Sequence, residues 1–270
     1  MIDIKMARSV YSTKTGQFNE TAVGAFAKYS PAYAVSNENL PLAMAEMRPQ
    51  GKSVLTVAGS GDQPVYFKLY DALHVDTFDI SYCAKAIMDV KTAAIQKVSY
   101  QQYLSLLHLL LNSSHGIQDF AVYRECKDLC PEKTQQFISG MAGCKICRNG
   151  YTENIPMEDE YKKLQQSLKQ PFNFIWSDLQ YLSRYLNRTY DQIYLSNILQ
   201  YNCDVRFMQS IVMGLLKFVN TGGKIMLCAT NYFTYSELQE FRKLQIAMER
   251  YAKIRGVKHK EFMMCMVHKL

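Results

Sequence analysis

The residues best suited to chemistry are two glycines and a pair of acids. Gly59-Ser60-Gly61-Asp62 follows an apolar run, Val54-Leu55-Thr56-Val57-Ala58, and Asp79 follows a second β-like run, Leu73 to Phe78. Glycine has no Cβ, so the backbone at Gly59 and Gly61 can turn sharply and lie close against a ligand. The turn feeds a helical segment from about Gln63, and the free N–H groups of a helix N-terminus favour a negative or polar ligand group. Asp79 stands about twenty residues beyond the turn, where an acid at a strand end can accept hydrogen bonds from two ribose hydroxyls. Strand, glycine turn, helix, strand and acid make up the nucleotide-binding half of a doubly wound α/β fold.

A dinucleotide site wants glycine or alanine at the sixth position of its glycine motif. Here Gly59-Ser60-Gly61-Asp62-Gln63 is followed by Pro64. Proline suits the first turn of a helix, where its missing N–H costs nothing. It is a poor substitute for the glycine that lets helix and strand pack tightly. The motif therefore favours a mononucleoside-like ligand such as S-adenosylmethionine over NAD.

Several elements must position these groups. Residues 1–50 read as an N-terminal helical arm over the ligand site. In it Phe18 to Tyr29 has helical spacing, and Ser36 or Asn37 could cap a helix from Asn39 to Met47. Tyr29, Tyr33 and Asn37 are substrate-side candidates; the alternative is that the tyrosines pack on the core and Asn37 only caps. After Asp79, apolar residues Ala86, Ile87, Val90, Ala94 and Ile95 recur at helical spacing between Ala84 and Val98, with Lys85, Asp89 and Lys91 as polar positions. Another helix covers Tyr100 to Asn112. The pattern weakens from Ser113 to Gln170, so residues 100–170 read as a helical insert capping the substrate side. Cys126-x3-Cys130 and Cys144-x2-Cys147 lie there. Paired cysteines can hold zinc, but the first spacing is loose and nearby glycines fit loops; thiols are expected, with zinc left open.

A third strand, Phe172 to Trp176, ends at Ser177-Asp178-Leu179, with a helix to Leu186. A fourth, from Tyr190, runs into the polar tip Ser196-Asn197. Asp204 to Val219 reads as an amphipathic helix stopped by Thr221-Gly222-Gly223, Lys224 to Ala229 as the fifth strand, Tyr235 to Arg255 as a long charged helix ended by Gly256, and Glu261 to His268 as the last strand. Alternating strands and helices imply a mostly parallel sheet covered on both faces. In such sheets ligands bind beyond the carboxyl ends of the strands, where the strand order reverses. Gly59 to Asp62, Asp79, Asp178 and Ser196-Asn197 all fall at such ends. Residues 51–99 and 171–270 would form one Rossmann-like domain, interrupted by the insert.

Apolar content of 48% and charge of 20% exclude disorder as the default. The net charge of +7 suits an anionic partner, but the basic residues are spread along the chain and form only short clusters such as Lys258-His259-Lys260. No signal peptide is legible, and the most apolar stretch, Tyr103 to Leu111, is too short to span a bilayer. A cytoplasmic location with reduced cysteines is expected.

On these residues the chain resembles the class I S-adenosylmethionine-dependent transferases from about Val54 to Ala229, the insert excepted. More narrowly, VLTVAGSGDQP, FDIS, Asp89-Val90-Lys91-Thr92-Ala93-Ala94-Ile95 and Ser99-Tyr100 resemble bacterial relatives of S-adenosylmethionine:diacylglycerol 3-amino-3-carboxypropyltransferase. The resemblance implies a doubly wound, mostly parallel sheet with a helical insert between its second and third strands. It implies that Gly59, Ser60 and Gly61 run beneath the methionine portion of the cofactor, with Ala58, Asp62 and Ser81 as further cofactor-binding candidates. Asp79 would hold the ribose, with Ile80 beside the adenine, and Asp178 and Leu179 would meet the adenine amino edge. Ser196 and Asn197 would border the sulfonium. The fourth-strand tip lacks the Pro-Pro-Tyr type motif of enzymes that methylate nucleic-acid bases, which disfavours a nucleic-acid partner. The last part shows one clear strand where the superfamily has an antiparallel pair.

The function expected is a transferase using S-adenosylmethionine on a small-molecule or lipid acceptor, with membrane-surface contact left open. Tyr201 joins Tyr29 and Tyr33 as a group that could orient an acceptor hydroxyl. The alternatives are an NAD-dependent oxidoreductase and a non-catalytic cofactor-binding module. His74, His108 and His115 sit at no strand tip.

Overall fold

A strand covered on both faces has to be apolar along its whole length, and the stretch before the glycine turn meets that demand at the centre of the sheet. The computed structural model describes residues 1–11, 24–150, 154–198, 205–230, 251–257 and 262–268. The chain opens with α1 (Ile4–Ser9), α2 (Ala25–Tyr29), a two-residue strand β1 (Ala32–Tyr33) and α3 (Leu40–Met47). Next come β2 (Ser53–Val57), α4 (Asp62–Leu69), β3 (His74–Asp79) and α5 (Tyr82–Lys97). Helices α6 (Tyr100–Asn112), α7 (Ala121–Cys126) and α8 (Glu132–Gly140), the short strand β4 (Cys147–Arg148) and α9 (Glu158–Ser167) lie between this half and β5 (Asn173–Trp176). The chain continues through β6 (Tyr190–Tyr194), α10 (Val205–Leu216), β7 (Val219–Thr230), β8 (Tyr251–Val257) and β9 (Phe262–His268).

The main sheet has the order β5-β3-β2-β6-β7-β9-β8. β9 runs antiparallel to both of its neighbours, β7 and β8, and the other pairs are parallel. This is a doubly wound, Rossmann-like sheet. Side chains alternate along β2, so Val54 joins one core with α4, α5 and the helices that follow, while Leu55 and Val57 join a second core with Leu182, Val212 and Leu215 on the other face. Two strand neighbours depart from β2 in opposite directions, β3 on one side and β6 on the other. The crevice at their carboxyl ends is the switch point.

Four expectations are corrected. The cap of α3 is Asn39, whose side chain accepts from the Leu42 N–H, rather than Ser36 or Asn37. The glycines at 222 and 223 do not stop the preceding helix. It ends at Leu216, and both glycines lie inside β7, where the register with β6 shifts between Tyr190 and Gln192; an irregularity in the ladder supplies a use for glycine that a C-cap reading misses. Residues 251–255 form a strand rather than the end of a long helix. There Ala252 and Ile254 alternate with Lys253 and Arg255, a period of two; the remainder of the expected helix, 235–250, lies outside the described residues. Consequently the sheet does end in an antiparallel pair, β8 with β9.

The arm and the segment between β3 and β5 are stitched together. Strand β1 pairs in parallel with β4. Asn154, buried, donates from Nδ2 to the carbonyls of Ser36 (2.9 Å) and Glu38 (2.5 Å), and its Oδ1 accepts from the Leu40 N–H at 3.1 Å. No helix among the described residues is long and apolar enough to cross a membrane.

Candidate functional site

The site grows from the bend after β2. Gly59 and Gly61 have φ of 52° and 83°, a region that residues with a Cβ seldom enter. Gly61 also has no room: a Cβ there would stand 2.8 Å from the Cα of Met88 on α5. At Gly61 the bend is therefore bare because helix α5 presses against it; at Gly59 a Cβ would meet the Gln63 side chain at 2.9 Å. Gly61 precedes α4, whose first turn holds Asp62, Gln63 and Pro64, all buried, with the proline at a position where its missing N–H is tolerated.

Asp79 at the end of β3 faces the bend. Its carboxylate accepts from the N–H of Gly59 at 3.0 Å and of Ser81 at 2.9 Å. Burial pushes its carboxyl up to about 6, against the opposing pull of those backbone N–H groups. Each carboxylate oxygen can accept more than one hydrogen bond, so the pair of bonds fixes the group without exhausting it. Ser81 caps α5 by accepting from the Cys83 N–H and donates to the Ser30 carbonyl at 2.5 Å. The Ile80 carbonyl accepts from the Trp176 indole N–H at 2.7 Å, and the Ser177 N–H donates to the Asp79 carbonyl at 3.1 Å. Asp178 caps the short turn that begins at Leu179, accepting from the Gln180 N–H; Leu179 is buried.

Beneath the bend lies a charged pair. Lys91 of α5 is fully buried and donates to Asp62 Oδ1 at 2.5 Å. The other carboxylate oxygen accepts from the Ser60 hydroxyl at 2.8 Å and from the Ser36 N–H at 2.7 Å. A buried ion pair persists when its remaining lone pairs are satisfied, and here they are met by the bend and by the N-terminal arm.

The third part is the tip of β6. Ser196 has φ of 55°, an uncommon backbone for a residue with a side chain. Asn197 beside it is buried, and among the described residues its Nδ2 has no hydrogen-bond partner. Thus the carboxyl ends of β2, β3, β5 and β6 carry Ala58 to Asp62, Asp79 to Ser81, Asp178-Leu179 and Ser196-Asn197, in four adjacent strands. Direct hydrogen bonds join the first two groups, and the Ser177 contact brings the β5 end beside them.

The substrate-side candidates are placed less closely. Tyr29 is buried against Phe137 and Trp176, with its hydroxyl accepting from the Asp3 N–H. The Arg148 guanidinium lies 3.8 Å over the Tyr33 ring. Asn37 is half-buried in the arm. Tyr201 lies outside the described residues. The Cys126 thiol contacts the Tyr123 carbonyl and the Cys147 thiol the Leu110 carbonyl. Among the described residues, no three metal-ligating side chains gather as a metal site would need.

Two site residues escape a reading of the sequence. Lys91 has Ile87, Ala94 and Ile95 at helical spacing, which puts it on the buried face; that signal was present in the periodicity. Glu38 is buried at 3% exposure and bonded to both Ser196 and Tyr194, a partnership across 158 and 156 residues that no local pattern carries.

No protein-family model and no curated protein matches the chain. Among solved structures it is similar to magnesium protoporphyrin IX methyltransferase from Synechocystis PCC 6803 with bound S-adenosylmethionine, at 10% identity and TM-score 0.45, over 86% of this chain and 76% of that one. It is similar to the N-methyltransferase NodS from Bradyrhizobium japonicum WM9 in complex with S-adenosylhomocysteine, at 9% and 0.42, over 85% and 83%. It is also similar to an rRNA methylase from Streptococcus thermophilus, at 10% and 0.41, over 88% and 99%. Overlaps this loose assign no function.

Proposed function

We propose that this chain is an S-adenosylmethionine-dependent transferase acting on a small-molecule or lipid acceptor. The observation that carries the reading is the bond from the Gly59 N–H to Asp79 Oδ2: a side-chain-free bend and a carboxylate on the adjacent strand, fixed to each other at the switch point. Gly61 supports it, since a Cβ there would meet α5. So does Asn197 Nδ2, a buried donor without a partner among the described residues that an acceptor atom of a ligand would satisfy.

In this reading Asp79 accepts from the ribose hydroxyls, Ile80 and Ser81 border the base, and Asp178 and Leu179 meet its edge. Gly59 to Gly61 lie under the chain that leaves the ribose, and Ser196 and Asn197 border the reacting centre. The bound sulfonium supplies an electrophilic carbon, so what the protein adds is chiefly position and exclusion of water. Attack at the methyl carbon leaves S-adenosylhomocysteine; attack at the aminocarboxypropyl arm leaves 5′-methylthioadenosine. An attacking amine or hydroxyl gives up a proton in either case. The narrower resemblance to diacylglycerol 3-amino-3-carboxypropyltransferase relatives favours the second outcome and a lipid acceptor. The arm and the stitched segment above it would then cover the acceptor side, and the net charge of +7 would favour approach to an anionic membrane surface.

The test is a single-turnover incubation with cofactor labelled separately on the methyl group and on the carboxypropyl arm, across lipid and polyamine extracts. Label in an extracted product identifies the group moved and the acceptor class. Binding of S-adenosylhomocysteine with no transfer of either label would leave a non-catalytic binding module. Binding of NADH and not of S-adenosylhomocysteine would replace the reading by an oxidoreductase.

A further inference from the structure

One acid outside the nucleotide motif holds the tip of β6. Glu38, in the segment between β1 and α3, is 3% exposed. Its Oε1 accepts from the Ser196 hydroxyl at 2.5 Å and its Oε2 from the Tyr194 hydroxyl at 2.9 Å. Both partners lie on β6 or its tip. The Ser36 hydroxyl accepts from the Glu38 N–H and from Gln63 Nε2 in the first turn of α4, each at 3.3 Å, just past the glycine bend. The segment around Glu38 therefore meets both strand ends that flank the reversal of strand order.

The tip needs such a tie. Ser196 keeps its left-handed backbone only while its surroundings hold it there, and its hydroxyl goes to Glu38. Asn197 follows directly, buried, with a donor that has no partner among the described residues. Glu38 is itself held from behind, through its carbonyl, by Asn154. A chain of contacts thus runs from the Asn154 amide through Glu38 and Ser196 to Asn197.

We propose that Glu38 is a positioning residue: it holds the Ser196-Asn197 tip so that the tip serves the part of the ligand beyond the ribose. The inference rests on the S-adenosylmethionine reading and adds to it a division of labour along the crevice. Strands lie about 4.8 Å apart, so the β6 tip is roughly 10 Å from the end of β3, across β2. A ribose on Asp79 would reach that far only through its 5′ substituent. Glu38 should then matter for the amino-acid arm and be indifferent to the nucleoside.

Calorimetry with two probes separates these parts: S-adenosylhomocysteine, and 5′-methylthioadenosine, which shares the nucleoside and lacks the amino-acid arm. Glu38→Ala is expected to weaken S-adenosylhomocysteine by about tenfold or more, the loss of one good charged hydrogen-bond set, and to leave 5′-methylthioadenosine within about twofold. Glu38→Gln, which keeps the side chain's length, should fall between wild type and Glu38→Ala for the first probe. Asp79→Ala should weaken both probes alike. If Glu38→Ala proves unfolded by circular dichroism, Ser196→Ala removes a single partner and should show the same selectivity at smaller size. Equal weakening of both probes, or of neither, overturns the positioning role while the cofactor reading stands. Failure of the wild type to bind either probe overturns both.

Discussion

At Asp79, burial and hydrogen bonding pull against each other, and burial wins. Two backbone N–H bonds hold the carboxylate, yet its pKa is raised to about 6 from an ordinary 3.8. A carboxyl raised on folding contributes stability that is complete below its unfolded value and is lost as the pH climbs from about 4 through about 6. Ligand binding runs the other way, because only the ionised group accepts from both ribose hydroxyls. The affinity for S-adenosylhomocysteine should be level above neutrality and about tenfold weaker one pH unit below the raised pKa. Calorimetry across that range checks this; an equally tight complex at about pH 5 would remove Asp79 from the ribose site, and Asp79→Asn should flatten the profile. The motif itself was legible because each part has a local cause: glycine where a Cβ would collide, proline in a first turn, an acid at a strand end. The restraint on Asp79 was not, because the Gly59 bond exists only once β2 and β3 are neighbours.

Among the elements, α5 shows best how an amphipathic reading falls short. Asp89 and Lys91 look like solvent-facing charges, yet the structure leaves both buried. Asp89 meets Lys85 one turn back at 2.6 Å and the Thr134 hydroxyl from α8, and Lys91 meets Asp62 from α4. Spacing alone puts Lys91 on the apolar face, but the identity of its partner depends on which helices pack together. Breaking such a pair by removing one member strands the other charge, which costs about 3–5 kcal/mol. Lys91→Met should lower stability by that order in urea unfolding and also loosen the arm, since Asp62 holds the Ser36 N–H. A midpoint unchanged within error would show that the pair carries no net stability. The strand at 251–257 teaches the converse: a period-two signal was present in Ala252 to Arg255, but a run of charges extending up to it suggested one long helix.

For the molecule as a whole, the eight cysteines divide by packing rather than by motif. Cys83, Cys126, Cys130, Cys144, Cys147 and Cys228 are buried, which leaves Cys203 and Cys265 of the eight. Burial pushes the thiol of Cys83 up to about 12 and those of Cys126 and Cys147 up to about 11. Thiolate is the reactive form, so in the native protein a thiol-specific chromogenic disulfide should label no more than two of the eight quickly, and the other six only on unfolding. Rapid native labelling of more than two would mean that the cores open readily. The doubly wound class and the side on which the strand tips gather could be read from alternation of strands and helices. The stitching of arm to insert by β1, β4 and Asn154 could not, since it joins residues more than a hundred positions apart.

Strand β9 sits between two strands that precede it in the chain. Before it docks, β7 and β8 each present an open row of amides and carbonyls where β9 will lie. Neither row is satisfied until residues 262–268 arrive and zip both at once. Until then the folding chain carries two sticky seams of the kind that recruit chaperones or seed aggregates.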